Sequence, residues 1–416
     1  MSRKKTAATT TPGIPHTTPH SQASALGRGV VVLLTVGTGL SVANNYYVQP
    51  LLGDIGRDLG LPEGQAGLLV TVAQSAYAAA LLLVLPLGDL LERRRLIVIL
   101  SSACAASLLL MATARSEPAL FLGAGLVGLC SVTTQVMVPY AASLAAPDQR
   151  GRVVGTVMAG LLCGILFART VAGALAQWAG WHAVYWCAAG LMALLAASAA
   201  LFLPRYQETG TPGYRQLVVS VFRLFAREPV LRLRAAYGAL SFGAFSVLWT
   251  ALTFLLSAPP YGYSPGVIGL FGLAGLAGAL AAARAGRLAD RGLAHRVTGI
   301  SSVLLLVVWV PLGLGGILLP VLVLGIAVLD LAAQALHITN QSEIYRLAPE
   351  IRSRLTAAYM TTYFLAGAAG SALASVAYAR LGWPGVSGLG AALGAATTAL
   401  WALSALRRRT RHRQAP

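Results

Sequence analysis

The sequence predicts an all-α integral membrane protein of twelve transmembrane helices in two six-helix, pseudo-symmetric bundles. Three observations predict it. Of 416 residues, 56% are hydrophobic and only 11% charged, where a soluble domain carries about 25% charge. Apolar runs of spanning length recur along the whole chain. Lysine and arginine gather in alternate connections between those runs, as membrane insertion with positive residues inside requires.

A span needs about 20 mostly apolar residues. Such runs lie at 29–51, 64–87, 96–114, 118–143, 153–178, 182–203, 234–257, 265–285, 296–314, 316–341, 353–379 and 383–405. Residues 26–203 would form the first bundle and 234–405 the second, with 204–233 as a cytoplasmic linker. That linker contains LVVSVFRLFAREPVLRLR, an amphipathic stretch expected to lie in the membrane interface. Residues 1–25 are rich in Thr, Pro and Ser without apolar period and read as a disordered cytoplasmic tail. The first apolar run begins late and is long enough to span, so this segment does not read as a secretory signal. Residues 406–416 form a second, basic tail suited to anionic lipid.

With both termini cytoplasmic, 27 of the 31 Lys and Arg fall on the cytoplasmic side and 3 (Arg57, Arg115, Arg380) on the other. Arg169 alone lies within a run away from its ends. This bias explains the net charge of +18 without a nucleic-acid partner. Cys104, Cys130, Cys163 and Cys187 all lie in apolar runs without CxxC spacing, so buried apolar packing is expected rather than a metal site or disulfides. The chain contains no HExxH or GxxxxGK[ST] pattern, and its G-x-S-x-G match, GYSPG at 262–266, lies in the connection leading into the eighth apolar run and not on a strand-to-helix elbow. A polytopic enzyme or a nucleotide-driven pump therefore has no support, and no cofactor or metal is expected. Glycine is abundant, at 45 residues, which suits close helix approach in lipid.

One segment repeats. PLGDLLERRRL follows the second run and GRLADRGLAHR the eighth, at matched positions in the two halves. Asp89, Arg93 and Arg94 carry the charge in the first copy; Gly286, Asp290, Arg291 and Arg296 are the corresponding residues of the second. Gly286 permits close helix approach, and Asp290 can cap a helix start and pair with Arg291 or Arg296. Such networks can latch one conformation at a corner. The alternative is an ordinary charged turn.

On these residues the chain resembles the major facilitator superfamily over essentially all its runs. GRLADRG is similar to that family's signature loop, G-x-L-A-D-R-x-G-x-R/K. The first copy departs from it, with Leu85, Leu90 and Glu92 at the glycine, arginine and second glycine positions. The fifth run, GTVMAGLLCGILFARTVAG, is similar to the antiporter motif of the drug:proton branch, g-x8-G-x3-G-P-x2-G-G. Gly155, Gly164 and Gly173 match in register, Ala168 and Ala172 are small for small, and Arg169 stands where the family has proline. Packing alone also accounts for small residues on one face. The segments RGRVVGTVMAG and NNYYVQPLL look like bacterial efflux permeases of this branch. The resemblance implies a monomeric secondary transporter of the inner (plasma) membrane. It would exchange protons for a small amphipathic solute, such as a drug-like compound, sugar or metabolite, by alternating access. A facilitator or importer of the same fold, in which the proton plays no part, is the alternative.

Ionisable groups at membrane depth cost at least about 2.5–3.5 kcal/mol, so something must offset them. Asp330, Gln334, His337 and Gln341 share one face of the tenth run. A carboxyl group held away from water suits the uptake and return of a proton, which makes Asp330 and His337 the proton-coupling candidates. A structural Asp bonded to a neighbouring helix is the alternative. Asp330 and His337 are seven residues apart, roughly 10 Å along the axis, so they should not touch. Arg169 would bind an anionic group or pair with a carboxylate or helix-end carbonyls, and no acidic residue is apparent at its depth. In the superfamily the first, fourth, seventh and tenth helices line a central cavity. The resemblance thus places Asn45, Gln49, Thr134, Gln135, Phe245, Trp249 and Gln334 near it. Gln74, Tyr359 and Tyr363, on the second and eleventh runs, are further candidates for an amphipathic ligand.

Overall fold

In a bilayer only hydrogen bonds within a segment satisfy the peptide groups of a single crossing, so apolar runs of this length fold as helices. The computed structural model describes residues 27–146, 148–207, 213–275, 278, 284–314, 318–347 and 352–414, and among them every regular element is helical.

The first span is broken. Arg28–Ala43 and Val48–Leu59 are bent by 40° across residues 44–47. Gly64–Leu90, Arg93–Ala112, Glu117–Leu144, Arg150–Ala179 and Trp181–Phe202 follow as the second to sixth spans. A helix at Tyr214–Arg227 buries Leu217 and Val221 and leads into the seventh span. That span, Pro229–Ser257, begins before residue 234 because Pro229 sits in the first turn, where a missing N–H costs nothing. The eighth run is described as Pro265–Leu270, a 3-10 turn at Phe271–Gly275 and helical residues 284–288. The ninth and tenth spans are Arg291–Leu314 and Leu319–Tyr345.

Arg352–Gln414 is continuous helix of 63 residues by its hydrogen bonding. A straight helix of that length would measure about 95 Å, against a hydrocarbon core of about 30 Å. It folds back at Gly382 (φ 63°, ψ −156°), and so provides the eleventh and twelfth spans. This backbone region is open essentially to glycine alone. Gly180 (φ 77°, ψ 163°) turns the fifth span into the sixth in the same way. Trp181 and Trp383 follow the two glycines. Gly60 and Gly262, both left-handed, stand after the first and seventh spans. Each pair is separated by the same number of residues, which is the backbone signature of a duplicated six-helix unit.

Small residues set the helix crossings. A Cβ on Gly39 would lie 2.8 Å from the carbonyl oxygen of Gly160, so the first and fifth spans touch backbone to backbone. Gly164 closes on Gly39 at the same crossing. The twelfth span lies along the ninth: Trp383 Nε1 donates to the Leu312 carbonyl at 2.7 Å and Thr398 Oγ1 to that of Ser302 at 2.9 Å. Of the cysteines, Cys104 and Cys130 are buried, whereas Cys163 and Cys187 are exposed on the helical surface, which corrects the expectation for those two.

The face bearing residues 27 and 414, the first and last described, is here the terminal face, and the opposite one the distal face. The first and last six spans meet near the distal face. Thr253 Oγ1 donates to the Gln49 carbonyl at 2.7 Å, Thr170 Oγ1 to Gly269 at 3.0 Å and Ser371 Oγ to Gly67 at 3.3 Å. Gln177 Oε1 accepts from Ser264 at 3.2 Å. Near mid-depth the rings of Tyr77 and Phe364 meet at 4.3 Å.

Candidate functional site

The break in the first span turns Tyr46 and Gln49 toward the fifth span. Arg169 Nε donates to Gln49 Oε1 at 2.6 Å, and the guanidinium carbon lies 4.8 Å from the Tyr46 ring centroid. The seventh span supplies two more rings, Trp249 at 3.9 Å and Phe245 at 5.7 Å. Three aromatic faces thus surround a cation that is 2% exposed. A desolvated cation over such faces gains on the order of 2 kcal/mol.

Asp330 reaches the same place from the tenth span and is 3% exposed. Trp249 Nε1 donates to its Oδ1 at 3.1 Å. Arg169 and Asp330 lie similar distances from the distal ends of their helices, roughly 15 Å by residue count. The expectation that no acidic residue lies at the depth of Arg169 is therefore corrected. The two charges act on each other through space, yet no ion pair joins them. A cavity of about 30 Å³ lies between them, lined also by Leu166, Phe245, Gly272, Gly275 and Gln334. Arg169 Nη2 has no hydrogen-bond partner.

The eighth span makes this room by having no side chains there. Gly266, Gly269, Gly272 and Gly275 recur every third residue, which matches the three-residue turn of the 3-10 segment. A Cβ on Gly272 would lie 3.0 Å from that of Arg169, and one on Gly275 3.0 Å from Asp330 Oδ2. The glycine period is plain in the sequence, but only the fold sets it beside the two charges.

His337 lies elsewhere. Its Nδ1 shares a 3.0 Å hydrogen bond with Tyr359 OH, and its ring is 4.6 Å from that of Tyr363. Tyr363 stacks on Phe242 at 4.0 Å, and Phe242 on Phe245 at 5.5 Å. An aromatic row therefore runs from Trp249 through Phe245, Phe242 and Tyr363 to Tyr359. Gln135 Nε2 donates to Tyr77 OH at 3.3 Å, in the second and fourth spans. Gln74 Oε1, Asn45 Oδ1 and Thr134 Oγ1 are buried without partners. No recorded contact brings those three to Arg169 or Asp330.

The motif residues separate into different roles. Gly164 packs on the first span and Gly173 on Pro265 and Gly269 of the eighth, while Gly155 has open space around it. In the first half Arg93 lies 3.6 Å from Asp89 and donates to Ser143 Oγ at 2.7 Å. Arg94 donates to the carbonyls of Ala200 and Leu203, capping the sixth span. In the second half a Cβ on Gly286 would lie 3.5 Å from Ile338. Arg291 and Arg296 are exposed, and the side chain of Asp290 lies outside the description. The network there is built from other residues, around the buried Arg234. Arg234 bonds Glu343 Oε2 and Thr298 Oγ1, both at 3.0 Å. Arg346 bonds Glu343 Oε1 at 3.0 Å and the Ala289 carbonyl at 2.9 Å.

The sequence pattern of the Major Facilitator Superfamily matches residues 34–329. The transporter YgaY of Escherichia coli O157:H7 is 50% identical over 376 residues, 90% of this chain and 95% of that one. A Streptomyces coelicolor protein named as a transporter, SCO4007, is 36% identical over 410 residues, 96% of this chain and 94% of that one. Among solved structures, the fold is similar to a bacterial homolog of the human lysosomal transporter Spinster, inward-facing and occupied. The TM-score is 0.75 at 13% identity, covering 91% of this chain and 96% of that one. The nucleoside transporter NupG is similar at TM-score 0.70 and 16% identity, covering 89% and 99%.

Proposed function

The chain belongs to the Major Facilitator Superfamily, and from that premise we propose that it is a proton-coupled secondary transporter of a small amphipathic solute, with Asp330 as the proton carrier. The solute would be a drug-like compound, a sugar or a metabolite. The observation that carries this reading is the pair of opposite charges, Arg169 and Asp330, buried on different halves and left apart across a cavity. A structural pair would close. An open one spends stability to keep both groups available.

Alternating access follows from where the halves meet. The polar contacts near the distal face, Thr253 to Gln49 and Thr170 to Gly269, hold one side shut. Rocking the first six spans (26–203) against the last six (234–405) about the Arg169–Asp330 level would break these and expose the same cavity to the other face. The aromatic row from Trp249 to Tyr359 offers an apolar wall for the body of the solute. His337 sits at the end of this row, bonded to Tyr359, and acts as a hydrogen-bonding group of the wall.

Export in exchange for protons is the direction supported by the likeness of the fifth span to the drug:proton branch. Uptake, with solute and proton moving together, is the second reading. The unpartnered Nη2 of Arg169 favours it. The positive-inside bias supports cytoplasmic termini in the inner membrane.

The test is transport in proteoliposomes carrying an internal pH dye, with a panel of dyes, sugars, amino acids and organic acids. Proton movement that appears only with a solute, and disappears in Asp330→Asn, supports the reading. Solute flux without proton movement, unchanged in Asp330→Asn, overturns it.

A further inference from the structure

From the geometry around Arg169 we infer that the solute carries an anionic headgroup, a carboxylate or a group of like size and charge, which binds Arg169 together with a proton on Asp330. This rests on the proposed role of Asp330 and assigns the chemistry of what shares its cavity.

A buried guanidinium must have its donors satisfied. Gln49 takes Nε and three rings cover the faces, but Nη2 has no acceptor. Arg169 lines the cavity, and the one acidic group lining that cavity, Asp330, makes no bond to Nη2. A guanidinium with an unfilled donor, on a residue that lines a void, matches an oxyanion, which accepts its N–H groups. With Asp330 protonated, a neutral solute would leave the Arg169 charge uncompensated, and a cation would meet a like charge. The volume, about 30 Å³, fits a small headgroup and not a whole solute. The body of the solute therefore extends away from Arg169, along the aromatic row.

The proton follows from charge balance. The charged groups facing Asp330 are few. Arg169 faces it from the fifth span; Tyr46 from the first span and Tyr363 from the eleventh interact with it electrostatically. Trp249 donates to it from the seventh. The eighth span presents Gly272 and Gly275, and His337 lies two turns along its own helix, bonded to Tyr359. With Asp330 ionised, Arg169 is already balanced, and an incoming anion meets a carboxylate. With Asp330 protonated, the repulsion is gone and the anion restores neutrality. Anion and proton therefore strengthen each other's binding, by roughly 5–150-fold, the ordinary range of coupling between two sites. Such positive coupling supports the second of the two directions, in which solute and proton move together.

Binding of charge-matched pairs to the purified protein tests this, with benzoate against benzamide and propionate against propionamide, between pH 6 and 8.5. Both acids are ionised throughout that range. The expected result is that an acid binds at least tenfold more tightly than its amide and gains affinity as pH falls. In Asp330→Asn the preference for the acid should persist without pH dependence. In Arg169→Gln it should vanish, and in Arg169→Lys it should partly return, which guards against a variant that merely misfolds. If no acid outbinds its amide in the wild-type protein, the anion assignment is overturned, whatever the proton does. If acids are preferred but with no pH dependence, joint binding is overturned, and the carrier role of Asp330 fails with it.

Discussion

The guanidinium of Arg169 stacks 3.9 Å from the ring centroid of Trp249, which places a charge from the fifth span on a ring from the seventh. The same indole donates its N–H to Asp330 at 3.1 Å. One side chain thus holds both charges while keeping them from closing into a pair. Trp249→Phe retains the stacking and removes the N–H. It should leave solute binding within severalfold and alter the pH dependence of transport, since Asp330 loses its donor. An unchanged pH profile would show that this hydrogen bond does not tune the carboxyl group.

Glycines in the eighth span are predicted to be required for their emptiness. Gly275→Val would place carbon against Asp330 Oδ2, and Gly272→Val against the stem of Arg169. Each should cost about 1–3 kcal/mol in stability through overpacking and abolish solute-linked proton movement in protein that still purifies as a folded species. Gly155→Ala, with open space around it, should change stability by less than about 0.5 kcal/mol and leave transport intact. The comparison separates the antiporter-like pattern in the fifth span from the sites that pack closely.

How much of this was legible in the sequence differs by level. Helices follow from apolar runs, because a bilayer leaves the backbone no alternative, so the spans were readable one by one. The break at 44–47 was not, because Asn44, Asn45, Tyr46 and Tyr47 sit inside a run long enough to span unbroken. Asp330 and Arg169 were each conspicuous as charges in lipid. Their meeting depends on how deeply two helices from different halves sit, which no local pattern encodes. The glycines at 266, 269, 272 and 275 were visible but had no meaning until the 3-10 turn placed them beside those charges. In the second half the repeated motif pointed to Arg291 and Arg296, while the buried cation there is Arg234, outside the motif; in the first half the buried Arg93 lies within it. A motif shows where a corner is; burial decides which arginine pays to be there.

That difference is measurable. Arg234→Ala removes the buried donor to Glu343 Oε2 and Thr298 Oγ1, leaving Glu343 only its bond to the exposed Arg346, and should cost roughly 1–3 kcal/mol, seen as a clear drop in melting temperature in detergent. Arg291→Ala and Arg296→Ala, both exposed, should leave the melting temperature nearly unchanged. Equal effects from all three would contradict the placement of the network.

Gly180 and Gly382 occupy backbone conformations that side chains resist. Gly180→Ala and Gly382→Ala should each destabilise by about 1–3 kcal/mol, in similar measure if the two halves are duplicates. A large effect at one turn and none at the other would argue against equivalent turns.

The central claim is that Asp330 carries the coupling proton, and solute accumulation under an imposed pH gradient tests it most directly. In proteoliposomes, the wild-type protein should concentrate a transported solute when the gradient is applied. Asp330→Asn should lose that accumulation while still exchanging labelled for unlabelled solute across the membrane, because the cavity and the rocking motion remain. Accumulation by Asp330→Asn at the wild-type level would contradict the claim and leave Asp330 a structural partner of Trp249.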